Sequence, residues 1–203
     1  MKKDYDIIII GSGVVGSAIA RELARYQLKI GVLEKELDVC TQTSGRNTGM
    51  LHAGFTYQSG SLKAQCSVEG NAEFDKVARE LDVPFKRTGK LIIGFTDEDM
   101  ESLLRFKARG EANGVPGLEI IDRKAMDKID ASAGGNFAMY SPTSGILNPF
   151  IYNIALAENA KINGVDFYFN HEVTAIQSNA DASHDVTTTY GVFHTRWVIN
   201  SAG

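Results

Sequence analysis

An apolar strand that runs into a glycine loop and then a helix constrains this chain more than any other feature. Tyr5 to Ile10 is an apolar, β-branched run, the pattern of a strand buried in a parallel sheet. Gly11-Ser12-Gly13-Val14-Val15-Gly16 follows and matches G-x-G-x-x-G. From Gly16 to Tyr26, Ala18, Ile19, Ala20, Leu23 and Ala24 form an apolar helical face opposite Arg21, Glu22 and Arg25. Leu28 to Glu34 reads as a second strand. The motif alone is weak, but strand, loop and helix in this order are the context it requires. Gly11 allows the tight turn, Gly13 lets the backbone approach a pyrophosphate, and Gly16 lets helix and strand pack closely. The helix N-terminus offers free N–H groups and a positive dipole end. Glu34 closes the second strand, roughly 20 residues beyond the loop, where a carboxylate accepts ribose hydroxyls and repels a 2′-phosphate. The unit predicts binding of the ADP part of a dinucleotide.

Composition excludes several other classes. The 203 residues suit one large domain or two small ones. Hydrophobic residues at 43% and charged residues at 23% are ordinary for a soluble protein. A net charge of −4 argues against nucleic-acid binding. No run of about 18 apolar residues exists to span a membrane. Asp4 and Asp6 stand where a secretory signal would be basic, so a cytoplasmic location is expected. Cys40 and Cys66 have no metal-ligand spacing and read as free thiols; no metal site is expected.

Further along, helices are predicted over 62–81, 97–113, 123–129 and from the Asn148-Pro149 start to about Asn163. Strands are predicted over 89–95, 118–121, 137–140, 165–169 and 172–176. A hairpin around Gly191 ends in a buried strand, Trp197 to Asn200. The stretch from Asp38 to Gly60 is instead rich in Ser, Thr, Gly, Gln and Asn. Long loops of this kind inside a compact domain are often functional. That stretch separates the two common dinucleotides. A nicotinamide domain would pass promptly into another helix and strand. Thr41 to Phe55, with its small and hydrogen-bonding side chains, suits a loop passing under a flavin's pyrophosphate and ribityl chain, so the cofactor expected is FAD.

Several segments resemble the FAD-dependent oxidoreductases of the D-amino-acid-oxidase type, most closely the anaerobic type of glycerol-3-phosphate dehydrogenase and L-2-hydroxyglutarate dehydrogenase. Ser44-Gly45-Arg46-Asn47 and His52-Ala53-Gly54 look like that family's second FAD segment, and Gly60 to Ala64 like the stretch after it. Gly89-Lys90-Leu91, Asn113 to Leu118 and Thr143 to Ile146 resemble landmarks of its substrate-binding part. Glu172-Val173 looks like the strand that meets the adenine, and Asn200-Ser201-Ala202-Gly203 like the N-A-A-G flavin motif. The resemblance implies an α/β fold: a Rossmann-like FAD-binding domain, 1–80 and 145–203, with a partial α+β substrate-binding domain, 81–144, inserted. It implies a cofactor site of Gly11, Ser12, Gly13, Val14, Val15, Gly16, Glu34, Lys35, Thr43, Ser44, Arg46, Asn47, Thr48, Gly49, His52, Glu172, Val173, Ser201, Ala202 and Gly203.

Two departures from the family pattern matter. Its members are much longer, so this chain reads as an N-terminal fragment. Some glycerol-3-phosphate dehydrogenases carry an arginine two residues after the H-x-G glycine, where it can hold phosphate; here that position is Thr56. Arg46 and Lys63 are the remaining nearby cations, with Lys63 read as solvated.

The implied reaction is hydride transfer from a secondary alcohol carbon to flavin N5, with a small anionic hydroxy compound as substrate. His52 is the candidate catalytic base, with a structural role as its alternative, because its unperturbed pKa suits proton removal. His171, His184 and His194 are expected to be solvated. The leading substrate is glycerol 3-phosphate, favoured by the Gly45-Arg46-Asn47 loop and the Asn148-Pro149-Phe150 helix start. L-2-hydroxyglutarate is the rival, favoured by Thr56 and by the segments at Gly89 and Asn113. A non-catalytic dinucleotide-binding module or an inactive fragment is the third reading. The electron acceptor stays open among a quinone, a partner subunit, an iron–sulfur partner and oxygen. A partner could also hold the protein at a membrane periphery.

Overall fold

The computed structural model describes residues 3–203. In chain order, the elements begin with strand β1 (Lys3–Ile10), helix α1 (Val14–Leu23) and β2 (Ile30–Leu33). A 3-10 turn (Thr43–Gly45), β3 (Met50–Leu51), α2 (Leu62–Glu80), β4 (Phe85–Lys86), β5 (Lys90–Gly94) and α3 (Asp97–Ala112) follow. Next come β6 (Glu119–Asp122), α4 (Arg123–Ile129), β7 (Phe137–Ser141), β8 (Gly145–Leu147) and α5 (Pro149–Ile162). β9 (Asp166–Tyr168), β10 (Val173–Ser178), β11 (His184–Thr188) and β12 (Gly191–Asn200) complete the chain. The fold is mixed α/β with a parallel sheet core, as predicted.

Packing divides the chain into two compact units. The first takes the residues up to Thr48, Leu81–Val83 and Asn148–Gly203. The second takes Gly49–Glu80 and Pro84–Leu147.

In the first unit one sheet runs in the order β10-β11-β12-β1-β2-β9. β1 is parallel to both β12 and β2, and β2 is parallel to β9. The β-branched run of β1 therefore sits between two strands, and its side chains alternate between two cores. Ile7 and Ile9 pack with Ala20, Ile30, Val32, Ala160 and Val165 on one side. Ile8 packs with Leu33, Val186 and Phe193 on the other. α5 begins as predicted: Asn148 Oδ1 accepts from the N–H of Phe150 at 3.0 Å and of Ile151 at 3.3 Å, with Pro149 in the first turn. β12 is longer than predicted. Its end is also less buried, for Trp197 is 61% exposed although the strand lies inside the sheet.

The second unit has two antiparallel three-stranded sheets, β3-β8-β4 and β5-β7-β6. Its core gathers Ala53, Phe55, Leu103, Val115, Leu118 and Met139. A capping box starts α3: Asp99 N–H donates to Thr96 Oγ1, and Thr96 N–H donates to Asp99 Oδ2. Backbone donors from Phe95 and Thr96 hold the Asp99 carboxyl below the usual carboxylate range. Among the described residues, no helix is long and apolar enough to cross a membrane.

Candidate functional site

In the first unit, β1, β2 and β12 all end at the edge of one cavity of about 370 Å³. Crevices outside the carboxyl ends of parallel strands are where α/β sheets bind ligands. The volume lies in the range of small-molecule sites, roughly 300–1,000 Å³.

The glycine loop forms one wall. Gly11 has φ of +96°, a left-handed conformation that favours glycine. A Cβ on Gly16 would stand 2.0 Å from the Gly11 carbonyl oxygen and 2.6 Å from Ser201 Oγ, so only glycine lets helix and loop approach this closely. Gly13 differs. A Cβ there would meet only Ser44, with Oγ at 2.9 Å. That hydroxyl accepts the Val14 N–H at 2.9 Å and so takes one of the unpaired donors of the α1 N-terminus. The first turn of α1 carries no acidic residue, which leaves its positive end for an anion.

Glu34, directly after the end of β2, also lines the cavity. It is 9% exposed. Its Oε2 accepts the Ser12 N–H at 2.7 Å and the Ser12 hydroxyl at 2.9 Å, and its Oε1 accepts the Glu36 N–H at 3.0 Å. A carboxylate has about four lone-pair sites, so one acceptor position stays open for a ribose hydroxyl. Ser201 clamps the loop from β12. Its N–H donates to the Ile10 carbonyl at 2.9 Å, and its Oγ lies within hydrogen-bonding distance of the Ile10 and Gly11 carbonyls.

The cavity brings together Gly11, Gly13, Glu34, Lys35, Thr43, Ser44, Glu172, Val173, Ser201, Ala202 and Gly203. Ser12 and Gly16 are buried behind this lining, Val14 is half-buried and Val15 exposed. Arg46, Asn47 and Thr48 are exposed and do not line it; the Asn47 amide turns back on the Thr43 and Ser44 carbonyls at 3.2 and 2.7 Å. Gly49 and His52 belong to the second unit.

There, Asn71 Nδ2 donates to the His52 carbonyl at 2.9 Å and to the Thr143 carbonyl at 3.1 Å. Arg87 holds this amide in place. Its Nη1 donates to Asn71 Oδ1 at 3.0 Å and to the Thr143 carbonyl, and its Nη2 to the Asn71 carbonyl at 2.7 Å. Asp75 Oδ1 accepts from Nε and Nη2 of the same guanidinium at 2.9 and 2.6 Å. His52 is exposed, yet partial desolvation of its imidazole, and secondarily the positive charge of Lys90, hold it below the ordinary histidine pKa. Lys63 is exposed, with Nζ 4.8 Å from the Tyr57 ring centre, and Arg109 Nη1 donates to the Thr56 carbonyl at 3.2 Å.

The cavity also has walls that the sequence reading missed. Cys40, Thr41, Gln42 and His171 line it. Burial, and secondarily Asp38, push the Cys40 thiol up, so it stays protonated. His171, expected to be solvated, is half-buried. Its ring lies 5.2–5.8 Å from those of Tyr168, Tyr190 and Phe193, and its Nδ1 is 2.7 Å from the Phe169 carbonyl. His194 is also engaged, with Nδ1 2.7 Å from Asp185 Oδ1.

The glycines, the Glu34 carboxylate with its one open acceptor position and the helix N-terminus together fit the ADP part of a dinucleotide. Comparison with known proteins agrees. A family model described as FAD dependent oxidoreductase matches residues 6–203. The glycerol 3-phosphate dehydrogenase of Caloramator mitchellensis is 40% identical over 201 residues, covering 98% of this chain and 42% of that protein. The mitochondrial L-2-hydroxyglutarate dehydrogenase of Nematostella vectensis is 33% identical over 192 residues, covering 94% of this chain and 42% of that one. The chain thus spans less than half the length of these relatives. Among solved structures, dithionite-reduced L-alpha-glycerophosphate oxidase from Mycoplasma pneumoniae, with FAD bound, superposes with a TM-score of 0.94 at 27% identity. It covers 99% of this chain and 54% of that one.

Proposed function

The chain belongs to the family of FAD-dependent oxidoreductases, and from that premise we propose that the whole protein oxidises glycerol 3-phosphate to dihydroxyacetone phosphate. The 40% identity to a glycerol 3-phosphate dehydrogenase across 98% of the chain carries this reading. FAD, when bound, supplies the hydride acceptor. The chain's own residues do the rest. The Gly11–Gly16 loop and the α1 N-terminus take the pyrophosphate. Glu34, oriented by Ser12, takes the adenosine ribose. The strand start at Glu172 and Val173 flanks the adenine, with Ser201 to Gly203 on the flavin side of the loop. The first unit is then the FAD-binding part, and the second carries part of the substrate site.

His52 is the proposed base for the alcohol proton. Its lowered pKa keeps the imidazole neutral, and so able to accept a proton, at pH 7. A specific observation favours a second substrate, L-2-hydroxyglutarate. Thr56 stands where some glycerol-3-phosphate dehydrogenases have a phosphate-holding arginine, and a relative with that activity is 33% identical. Anaerobic titration of the FAD-loaded protein, followed by loss of flavin absorbance near its visible maximum, separates the readings. Bleaching by glycerol 3-phosphate and not by L-2-hydroxyglutarate is expected. The reverse order overturns the substrate assignment, and bleaching by neither overturns both substrate readings.

A further inference from the structure

Helix α5 carries one polar residue on an otherwise apolar buried face. Leu156, Ala157 and Ala160 line that face, and Asn153 stands among them with no exposed surface. Its Nδ2 donates to the Ser12 carbonyl at 3.1 Å and to Ser17 Oγ at 3.0 Å. Ser17 Oγ itself donates to the same Ser12 carbonyl at 3.2 Å. The Oδ1 of Asn153 has no partner among the described residues. A buried amide that leaves its acceptor unpaired is costly, so the two bonds from Nδ2 are what the residue contributes.

Those bonds fall on one peptide. The Ser12 carbonyl shares its peptide plane with the Gly13 N–H, and a trans peptide points the two in opposite directions. Drawing the carbonyl towards Asn153 and Ser17 turns the Gly13 N–H away from α5. Gly13 lines the cavity, and nothing among the described residues accepts from its N–H. On the other side, the Ser12 N–H and hydroxyl are tied to Glu34. The peptide is thus fixed from both flanks before any ligand arrives, and fixed donors bind an anion better than donors that must first be ordered.

We propose that Asn153 is a positioning residue for the dinucleotide loop, holding the Ser12–Gly13 peptide so that its N–H faces a pyrophosphate oxygen. The role rests on reading the cavity as the ADP site. It predicts a selective loss. A residue that merely supports the fold would weaken every part of the nucleotide, whereas Asn153 acts where the phosphates sit.

The test uses the full chain stripped of FAD, with ADP and adenosine competing against FAD reconstitution, and apoprotein melting as the check on folding. In Asn153→Leu, which keeps the shape and removes the donor, the dissociation constants of FAD and ADP rise about tenfold or more while that of adenosine is unchanged. Ser17→Ala, a milder change that keeps the chain folded if the leucine variant does not, shows the same selectivity at a smaller size. Equal weakening of ADP and adenosine, or no change in either by a folded variant, overturns the positioning role while leaving the site. Failure of the unsubstituted chain to bind ADP or adenosine overturns the site reading and the role with it.

Discussion

The two units solve the problem of holding a loop in place by different means. In the first, the Gly11–Gly16 loop is gripped mostly through its backbone. Gly11 and Gly16 admit no side chain, and Ser201 and Asn153 bond to the Ile10, Gly11 and Ser12 carbonyls. In the second, the His52 segment is gripped by a side-chain relay, with Asn71 on the His52 carbonyl and Arg87 and Asp75 behind it. The first device depends on what is absent from the loop. The second depends on a guanidinium that several partners share. They should therefore fail differently.

The largest expected effect comes from Gly16→Ala. The added Cβ would stand 2.0 Å from the Gly11 carbonyl oxygen, backbone that cannot swing aside. Overpacking of this kind costs about 1–3 kcal/mol, and the loop it displaces carries the phosphate donors, so the protein should purify without flavin. Gly13→Ala sharpens the point. Its Cβ would meet only the Ser44 hydroxyl, which can rotate away at the loss of its bond to Val14. Thermal unfolding should move little in Gly13→Ala, while FAD affinity still falls. Equal melting temperatures for the two variants would erase the distinction between packing glycine and ligand-facing glycine.

Much of this was legible in the sequence, and the reason lies in how local each signal is. The glycine loop, the strand before it and the helix after it are continuous in the chain, and each glycine's role follows from backbone geometry. The same holds for α2, predicted over 62–81 and found over Leu62–Glu80, and for the Asn148-Pro149 start of α5. What escaped is non-local. β3, β4 and β8 are two or three residues long, too short to show a period of two, and exist only because they pair across the chain. His171 sits in an aromatic cluster whose members, Tyr168, Tyr190 and Phe193, only the sheet brings together. Asn153 did leave a signal, an amide in register with Leu156, Ala157 and Ala160, since buried polar groups need a partner. Arg87 left none, because its partners come from α2 and from the turn at Thr143.

Arg87→Met tests the second device. It keeps most of the side-chain length but removes the guanidinium donors from the Asn71 and Asp75 side-chain oxygens, while the Thr143 carbonyl keeps the Asn71 amide. Leaving such acceptors unpaired costs roughly 1–3 kcal/mol, and the Arg87 side chain is only 25% exposed, so water replaces the guanidinium poorly. Denaturant unfolding should show this loss, and substrate-driven flavin reduction should slow as the His52 segment loosens. ADP affinity should not change. A parallel loss of ADP binding would mean that the two units are not separable in the way their polar networks suggest.

The smallest effect concerns the charge beside His52. Partial desolvation of its imidazole is the larger cause of its lowered pKa, and Lys90 the smaller. A base works when neutral, so the rate of flavin reduction should rise with pH through the His52 pKa, with that limb on the acid side of the ordinary histidine value. Lys90→Met removes a positive charge that opposes protonation. The pKa then rises and the limb moves to higher pH, yet not the whole way, because the partial desolvation still acts. Rates on the alkaline plateau should match those of the unsubstituted protein, and the difference should appear only at acid pH. His52→Gln should abolish the limb. A limb that survives His52→Gln, or stays in place in Lys90→Met, would assign the proton to another group and leave the second unit with a structural histidine, so that only the first unit's site would keep a defined chemical task.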